Sequence, residues 1–121
     1  MGNPFVHVEL ATTDVKKEKS FYGSLFDWKF EDTEMCEGGT YTIIKVGDGT
    51  GGGMMKHPMP GEPSAWLPYV HVDNVAATTA KAKSLGAKII RDVSEVPGMG
   101  KFAIVIDPTG ATIAFWEPKK H

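Results

Sequence analysis

The feature that most constrains this chain is an internal duplication, in which a shift of 60 residues lays the second half of the sequence on the first. Leu10–Phe30 falls on Val70–Ile90, and in both segments an apolar run ends at a polar pair before a helical stretch begins. The turn at Gly47–Thr50 likewise falls on Asp107–Gly110. Because pattern, turns and helix starts keep one period without a gap, the sequence predicts two copies of one supersecondary unit that pack together to bury their apolar faces.

Each copy is predicted to contain a strand, a helix and three further strands. Phe5–Ala11 alternates with a period of two, as a strand with one apolar face does. Asp14 can cap the first helix, and Asp73 or Asn74 the second. A proline-rich linker at 58–65 separates a unit of about 4–57 from one of about 66–118, within a single domain over 1–121. The predicted fold class is α+β, with two tandem βαβββ units forming a curved mixed sheet that has its helices outside and a concave cleft inside.

The concave face is the predicted ligand site, because concave surfaces between related units are common positions for small ligands. Strand alternation places Leu10 under the helix and leaves the intervening side chains of the same strand facing the cleft. The same alternation and the 60-residue shift give the cleft-facing positions on the first and last strands of both units. Six of these positions are the predicted ligand-binding residues: His7, Glu9, Met54, Tyr69, His71 and Trp116.

Composition argues against several classes of partner. The formal net charge is −2 and charges of both signs are interspersed, so no basic patch for nucleic acid or anionic lipid is predicted. No apolar run approaches the ~20 residues of a membrane span. Cys36 is the single cysteine, so an intrachain disulfide is excluded and a cytoplasmic location is predicted. The expected partner is therefore a small organic molecule.

Several motifs resemble those of one superfamily. The run from Asp14 to Trp28, with its Ser20-Phe21-Tyr22-Gly23, and the Asp107–Gly110 turn before the last strand accompany the paired units. With these motifs the chain resembles the vicinal oxygen chelate superfamily, the fold of glyoxalase I, bleomycin-resistance proteins and extradiol dioxygenases. The stretch Pro97–Ala103 is similar to a bacterial glyoxalase-like subgroup of it. The resemblance implies the paired-unit fold, a small-molecule site in the cleft and a homodimer.

The same resemblance implies where a metal would bind. The superfamily's metal enzymes carry one ligand on the first and one on the last strand of each unit, and the matching positions here are His7, Met54, Leu67 and Ala114. Leucine and alanine have no donor atom, and a thioether suits hard divalent cations poorly. We therefore predict no metal and no other cofactor. The alternative is a rebuilt centre of His7, Glu9 and His71, a donor set that suits ferrous iron.

Two metal-free functions remain open. One is acid–base catalysis, in which a His7–Glu9 or His71–Tyr69 pairing tunes an imidazole to remove a proton beside a carbonyl. The other is binding of a planar or apolar molecule by adaptable methionine and aromatic surface. The favoured prediction is a glyoxalase-like small-molecule-binding protein or metal-independent enzyme of unknown substrate, with no catalytic residue assigned. The alternative is a metal-dependent lyase, isomerase or ring-cleaving dioxygenase that uses the rebuilt centre.

Overall fold

A computed structural model describes residues 2–35, 38–59 and 61–119, so Cys36 and one position of the predicted linker, Pro60, lie outside the described residues. The chain forms two compact units. The N-terminal unit is His7–Leu67, and the C-terminal unit combines the residues up to Val6 with the chain from Pro68 onwards.

The N-terminal unit contains one helix and a four-stranded mixed sheet. Its elements are β1 (Phe5–Thr12, which enters the unit at His7), α1 (Val15–Leu25), β2 (Lys29–Glu34), β3 (Thr40–Lys45) and β4 (Gly52–Lys56). The strand order is β2-β3-β4-β1. β1 pairs with β4 in parallel, whereas the pairs β3–β4 and β2–β3 are antiparallel.

The C-terminal unit repeats this topology. Its elements are β5 (Ala65–His71, which enters the unit at Pro68), α2 (Val75–Ser84), β6 (Lys88–Val96), β7 (Gly100–Ile106) and β8 (Thr112–Pro118), in the strand order β5-β8-β7-β6. β5 pairs with β8 in parallel and the other two pairs are antiparallel. The predicted α+β class and the two βαβββ units with mixed strand pairing are therefore confirmed.

Both helices begin at the predicted caps. The Asp14 side chain accepts a hydrogen bond from the Lys17 amide, and the Asn74 side chain accepts one from the Ala77 amide, each at 3.0 Å. Each of these bonds satisfies an amide that has no partner within its helix. Neither described helix is long and apolar enough to cross a membrane.

The core of the N-terminal unit lies between its sheet and α1. Leu10, Ile44 and Met54 are buried together, and Val15 and Tyr22 from α1 pack against them. A cluster of aromatic side chains around Tyr22 extends this core. The Tyr22 ring centroid lies 5.6 Å from the ring centroids of both Trp28 and Trp66, and Tyr22 also contacts Phe21 and Phe26. The burial of Leu10 confirms the predicted helix-facing side of β1.

The C-terminal unit has its own core on the α2 side of its sheet. Val72, Val75 and Ala103 are buried there, and Phe115 packs against them. Val105 is also buried, and its ladder partner on β8 is Ile113. Residues that alternate with these, such as Ala114, therefore point to the opposite face of the sheet.

The duplication is not free of gaps, and this corrects the sequence analysis. Leu10 pairs with Met54, but its counterpart Val70 pairs with Phe115, so Met54 corresponds to Phe115 and not to Ala114. The offset between matching residues of the two units is thus one residue longer in their last strands, β4 and β8, than in their first strands, β1 and β5. The ladder between β6 and β7 has two register irregularities, which accommodate the extra residue. Because side chains alternate, a one-residue slip moves each of them to the other face of the sheet.

Candidate functional site

One sheet face of the N-terminal unit gathers polar side chains, and we call it the His7 face. It is the face opposite α1 and carries His7 and Glu9 from β1, Tyr41 from β3 and Gly53 from β4. Glu9 pairs with Gly53 across the parallel ladder, and Gly53 pairs with Ile43, so these positions share one side of the sheet. His7, Glu9 and Tyr41 are each half-buried, which allows contact with a ligand and shields their mutual hydrogen bonds from solvent.

A hydrogen-bonded chain connects the three polar side chains. The Tyr41 hydroxyl lies 2.7 Å from Nε2 of His7 and donates to Oε1 of Glu9 at 3.0 Å. The His7 and Tyr41 rings are stacked with their centroids 6.3 Å apart. One phenol therefore joins an imidazole to a carboxylate that lies two positions further along the same strand.

Gly53 provides the space that Tyr41 occupies. A Cβ atom at this position would collide with the hydroxyl oxygen and with Cζ of Tyr41. Cβ atoms essentially never come so close to other heavy atoms, so any residue larger than glycine would move the ring. The close approach of Tyr41 to His7 and Glu9 consequently depends on glycine at position 53.

Burial lowers the pKa of the His7 imidazole below its ordinary value, because desolvation disfavours the charged form. The neutral form of His7 is therefore the predominant one at neutral pH. A neutral imidazole can accept a proton or a hydrogen bond, as a general base must.

The prediction that Met54 faces the ligand side is wrong. Met54 is fully buried in the core under α1, with Leu10 and Ile44 as neighbours. The residue of β4 that faces the same side as Glu9 is Gly53. The error follows from the one-residue slip, because the unbroken shift matched Met54 to Ala114.

The three predicted residues of the C-terminal unit lie on one face of its own sheet, opposite α2. Tyr69 pairs with Ala114, His71 pairs with Trp116, and Trp116 pairs in turn with Phe102 of β7. Tyr69 is buried, with its ring centroid 6.5 Å from that of Phe102. The backbone of His71 is held by the N-terminal segment, because its amide donates to the Pro4 carbonyl and its own carbonyl accepts from the Asn3 side chain.

The family's metal positions do not fit a metal in this chain. With the register corrected, the position predicted at Met54 is taken by Gly53, which like Leu67 and Ala114 carries no donor atom. Tyr41 fills the space beside Gly53 and bonds to Nε2 of His7. Among residues 2–35, 38–59 and 61–119, no group of three or more His, Cys, Asp or Glu side chains that could hold a metal ion is found.

Tyr41 is the site residue that the sequence analysis missed. It lies on the second hairpin strand of its unit, whereas the predicted site used only the first and last strands. A signal for it was present in the run Gly51-Gly52-Gly53, because glycine inside a strand often marks the close approach of another group. The run does not say which group approaches.

Comparison with known proteins identifies relatives over most of the chain. The model of the Glyoxalase/Bleomycin resistance protein/Dioxygenase superfamily matches residues 5–115. A Mycobacterium tuberculosis protein named "Putative glyoxylase CFP32" is 36% identical over 110 residues, which are 91% of this chain and 42% of that protein. The anthracycline biosynthesis protein DnrV of Streptomyces peucetius is 25% identical over 122 residues, covering 89% of this chain and 44% of that protein. The chain thus spans less than half the length of these relatives.

Solved structures share the fold at low sequence identity. The hypothetical protein BH1468 from Bacillus halodurans has a TM-score of 0.75 and 18% identity, covering 100% of this chain and 98% of that one. A Streptomyces coelicolor methylmalonyl-CoA epimerase in complex with 2-nitronate-propionyl-CoA has a TM-score of 0.70 and 14% identity, covering 96% of this chain and 97% of that one. At such identities the likeness concerns the fold alone.

Proposed function

The chain belongs to the Glyoxalase/Bleomycin resistance protein/Dioxygenase superfamily, and we propose that it binds a small organic molecule on the His7 face without the help of a metal. The observation that carries this proposal is the hydrogen-bonded chain of His7, Tyr41 and Glu9 beside Gly53. It supplies polar groups in fixed positions at the place where the superfamily's metal enzymes have ligands. Tyr69, His71 and Trp116 stay predicted ligand contacts of the C-terminal unit.

The same three groups support metal-independent acid–base chemistry as the catalytic form of this proposal. A neutral, half-buried imidazole next to a phenol and a carboxylate has the composition of a general base with supporting groups. The epimerase of similar fold is in complex with 2-nitronate-propionyl-CoA. Methylmalonyl-CoA is therefore a rational probe, with deuterium uptake from D2O at its C2 position as the measure of proton abstraction.

Ligand binding is expected to depend on the His7 face. A thermal-shift screen of aromatic acids, glutathione conjugates, antibiotics and methylmalonyl-CoA should first identify a compound that raises the melting temperature. For that compound, Tyr41→Phe and Glu9→Gln should each weaken binding about 2–10-fold, because a hydrogen bond contributes roughly 0.5–1.5 kcal/mol. Isothermal titration calorimetry measures the change.

His57→Gln is the matched control for this series. His57 belongs to the same unit but follows β4, where its Nδ1 accepts a hydrogen bond from the Met59 amide. Its replacement should leave affinity unchanged. Equal affinities in all three variants would place the ligand elsewhere and refute the proposal.

The purified protein is expected to carry no stoichiometric metal, because Gly53, Leu67 and Ala114 offer no donor atoms at three of the four family positions. Elemental analysis after desalting tests this expectation. One equivalent of zinc, nickel or iron that is retained by the protein and lost in His7→Ala would contradict it.

A further inference from the structure

The face of the C-terminal sheet opposite α2 carries an arginine beside its aromatic side chains, and we call it the Arg91 face. Phe102 of β7 pairs with Trp116 of β8, and the Phe102 ring centroid lies 6.5 Å from that of Tyr69. Arg91 of β6 pairs with Ile104, which lies on the same side of β7 as Phe102. The guanidinium carbon of Arg91, Cζ, lies 5.2 Å from the centroid of the Phe102 ring. A positive charge is therefore held against a flat apolar surface.

The irregular pairing of β6 brings a second residue to Arg91. Arg91 and Ser94 are three positions apart on β6, but their ladder partners on β7 are only two positions apart. Without this bulge, alternation would send the two side chains to opposite faces of the sheet. Nε of Arg91 donates to Oγ of Ser94 at 3.2 Å, and this hydroxyl donates in turn to the Asp92 carbonyl at 2.9 Å. The guanidinium is thus restricted before a ligand arrives, which lowers the entropy cost of binding one.

The remaining donors of the guanidinium suit a carboxylate. The bond to Ser94 uses the N–H group on Nε, whereas the two terminal nitrogens form a planar fork that matches the two oxygens of a carboxylate. The ion pairs within residues 2–35, 38–59 and 61–119 are formed by three lysines of the N-terminal unit. In that part of the chain Arg91 therefore has no acidic partner, so an acid from outside can pair with it.

We propose that the Arg91 face binds aromatic carboxylic acids, with the carboxylate on the terminal nitrogens of Arg91 and the aromatic ring against Trp116 and Phe102. Both of these aromatic side chains are half-buried, so part of each ring is open to a ligand, and Arg91 is exposed. Ser94 acts as a positioning residue for Arg91. Every residue that carries this proposal belongs to the C-terminal unit, so it does not rest on the function proposed for the His7 face.

Isothermal titration calorimetry of the full chain with 2-naphthoate tests the proposal. We expect binding of 2-naphthoate, and binding at least about 10-fold weaker for 2-naphthamide, which has the same rings but no charge. Arg91→Gln should weaken 2-naphthoate binding by about 10-fold or more, and Arg91→Lys, which keeps the charge without the planar fork, should have an intermediate affinity. Ser94→Ala should weaken binding a few-fold, whereas Ser94→Thr keeps the hydroxyl and should retain the affinity.

Lys101→Gln is the matched control for Arg91→Gln. It removes the same single charge, but Lys101 is next to Phe102 in sequence and therefore points to the other face of the sheet. Its affinity for 2-naphthoate should equal that of the unmodified protein. An equal loss in both variants would show that only the overall charge attracts the acid, and would overturn the inference.

Three further results would overturn it: no binding of 2-naphthoate at millimolar concentration, equal affinity for 2-naphthamide, or unchanged affinity in folded Arg91→Gln. A loss of affinity in Tyr41→Phe with none in Arg91→Gln would assign the acid to the His7 face instead. Circular dichroism shows whether each variant is folded. If Arg91→Gln fails to fold, Arg91→Lys decides the question, because unchanged affinity in that variant would exclude recognition by the guanidinium fork.

Discussion

Replacing Met54 with alanine is expected to lower the free energy of unfolding by about 2–5 kcal/mol, the usual cost of truncating a buried methionine to alanine. Met54 is completely buried between Leu10 and Ile44, with Val15 and Tyr22 of α1 packed against the same cluster. The truncation leaves a cavity in a core that is held by strands on both sides. Urea unfolding followed by circular dichroism measures the loss.

Met55→Ala is the matched control for this prediction. Met55 has the same side chain, is next in sequence and pairs with Ala11 on the His7 face, where it is half-buried. Its truncation should cost less than about 1 kcal/mol, as substitutions outside the core usually do. If the two losses were reversed, the register described for β4 would be incorrect and Met54 would face the ligand side.

The second large effect is expected for Gly53→Ala. The added methyl group would collide with three atoms at the end of the Tyr41 side chain, so the phenol must shift and its hydrogen bonds to His7 and Glu9 are disturbed. We expect a loss of about 1–3 kcal/mol in the free energy of unfolding, the cost of overpacking a close contact. The variant should also lose ligand affinity at least as strongly as Tyr41→Phe, because it displaces the whole phenol.

A double-mutant cycle tests whether the loss of stability in Gly53→Ala arises from the clash with Tyr41. Once the ring is removed in Tyr41→Ala, the further change Gly53→Ala should cost only a few tenths of a kcal/mol, because the three atoms nearest to the added methyl group all belong to the Tyr41 side chain and are then absent. The measurement is again urea unfolding, for both single variants and the double variant. An equal cost in the two backgrounds would show that the strain does not arise from Tyr41.

Local patterns in the sequence were sufficient to predict the helices and strands and part of the candidate site. Apolar alternation and the polar pairs before each helix gave two βαβββ units with caps at Asp14 and Asn74, because these signals depend on residues close together in the chain. The same alternation placed Leu10 under α1 and left His7 and Glu9 on the opposite face. Homodimer formation stays a prediction from the family resemblance, since it depends on surfaces between chains.

Only the tertiary structure decided which residue of β4 joins His7 and Glu9, and which side chain completes their network. The bulged pairing of β6 with β7 breaks the 60-residue repeat, and a bulge leaves no reliable mark in the sequence because it depends on hydrogen bonding to a second strand. Because of this one-residue slip, Gly53 and not Met54 lies on the His7 face. Tyr41 reaches His7 across 34 positions of sequence, through space that exists only where the sheet brings Gly53 beneath its ring. Alternation determines which side chains of one strand share a face, whereas the pairing of distant strands determines which side chains of different strands lie together on that face.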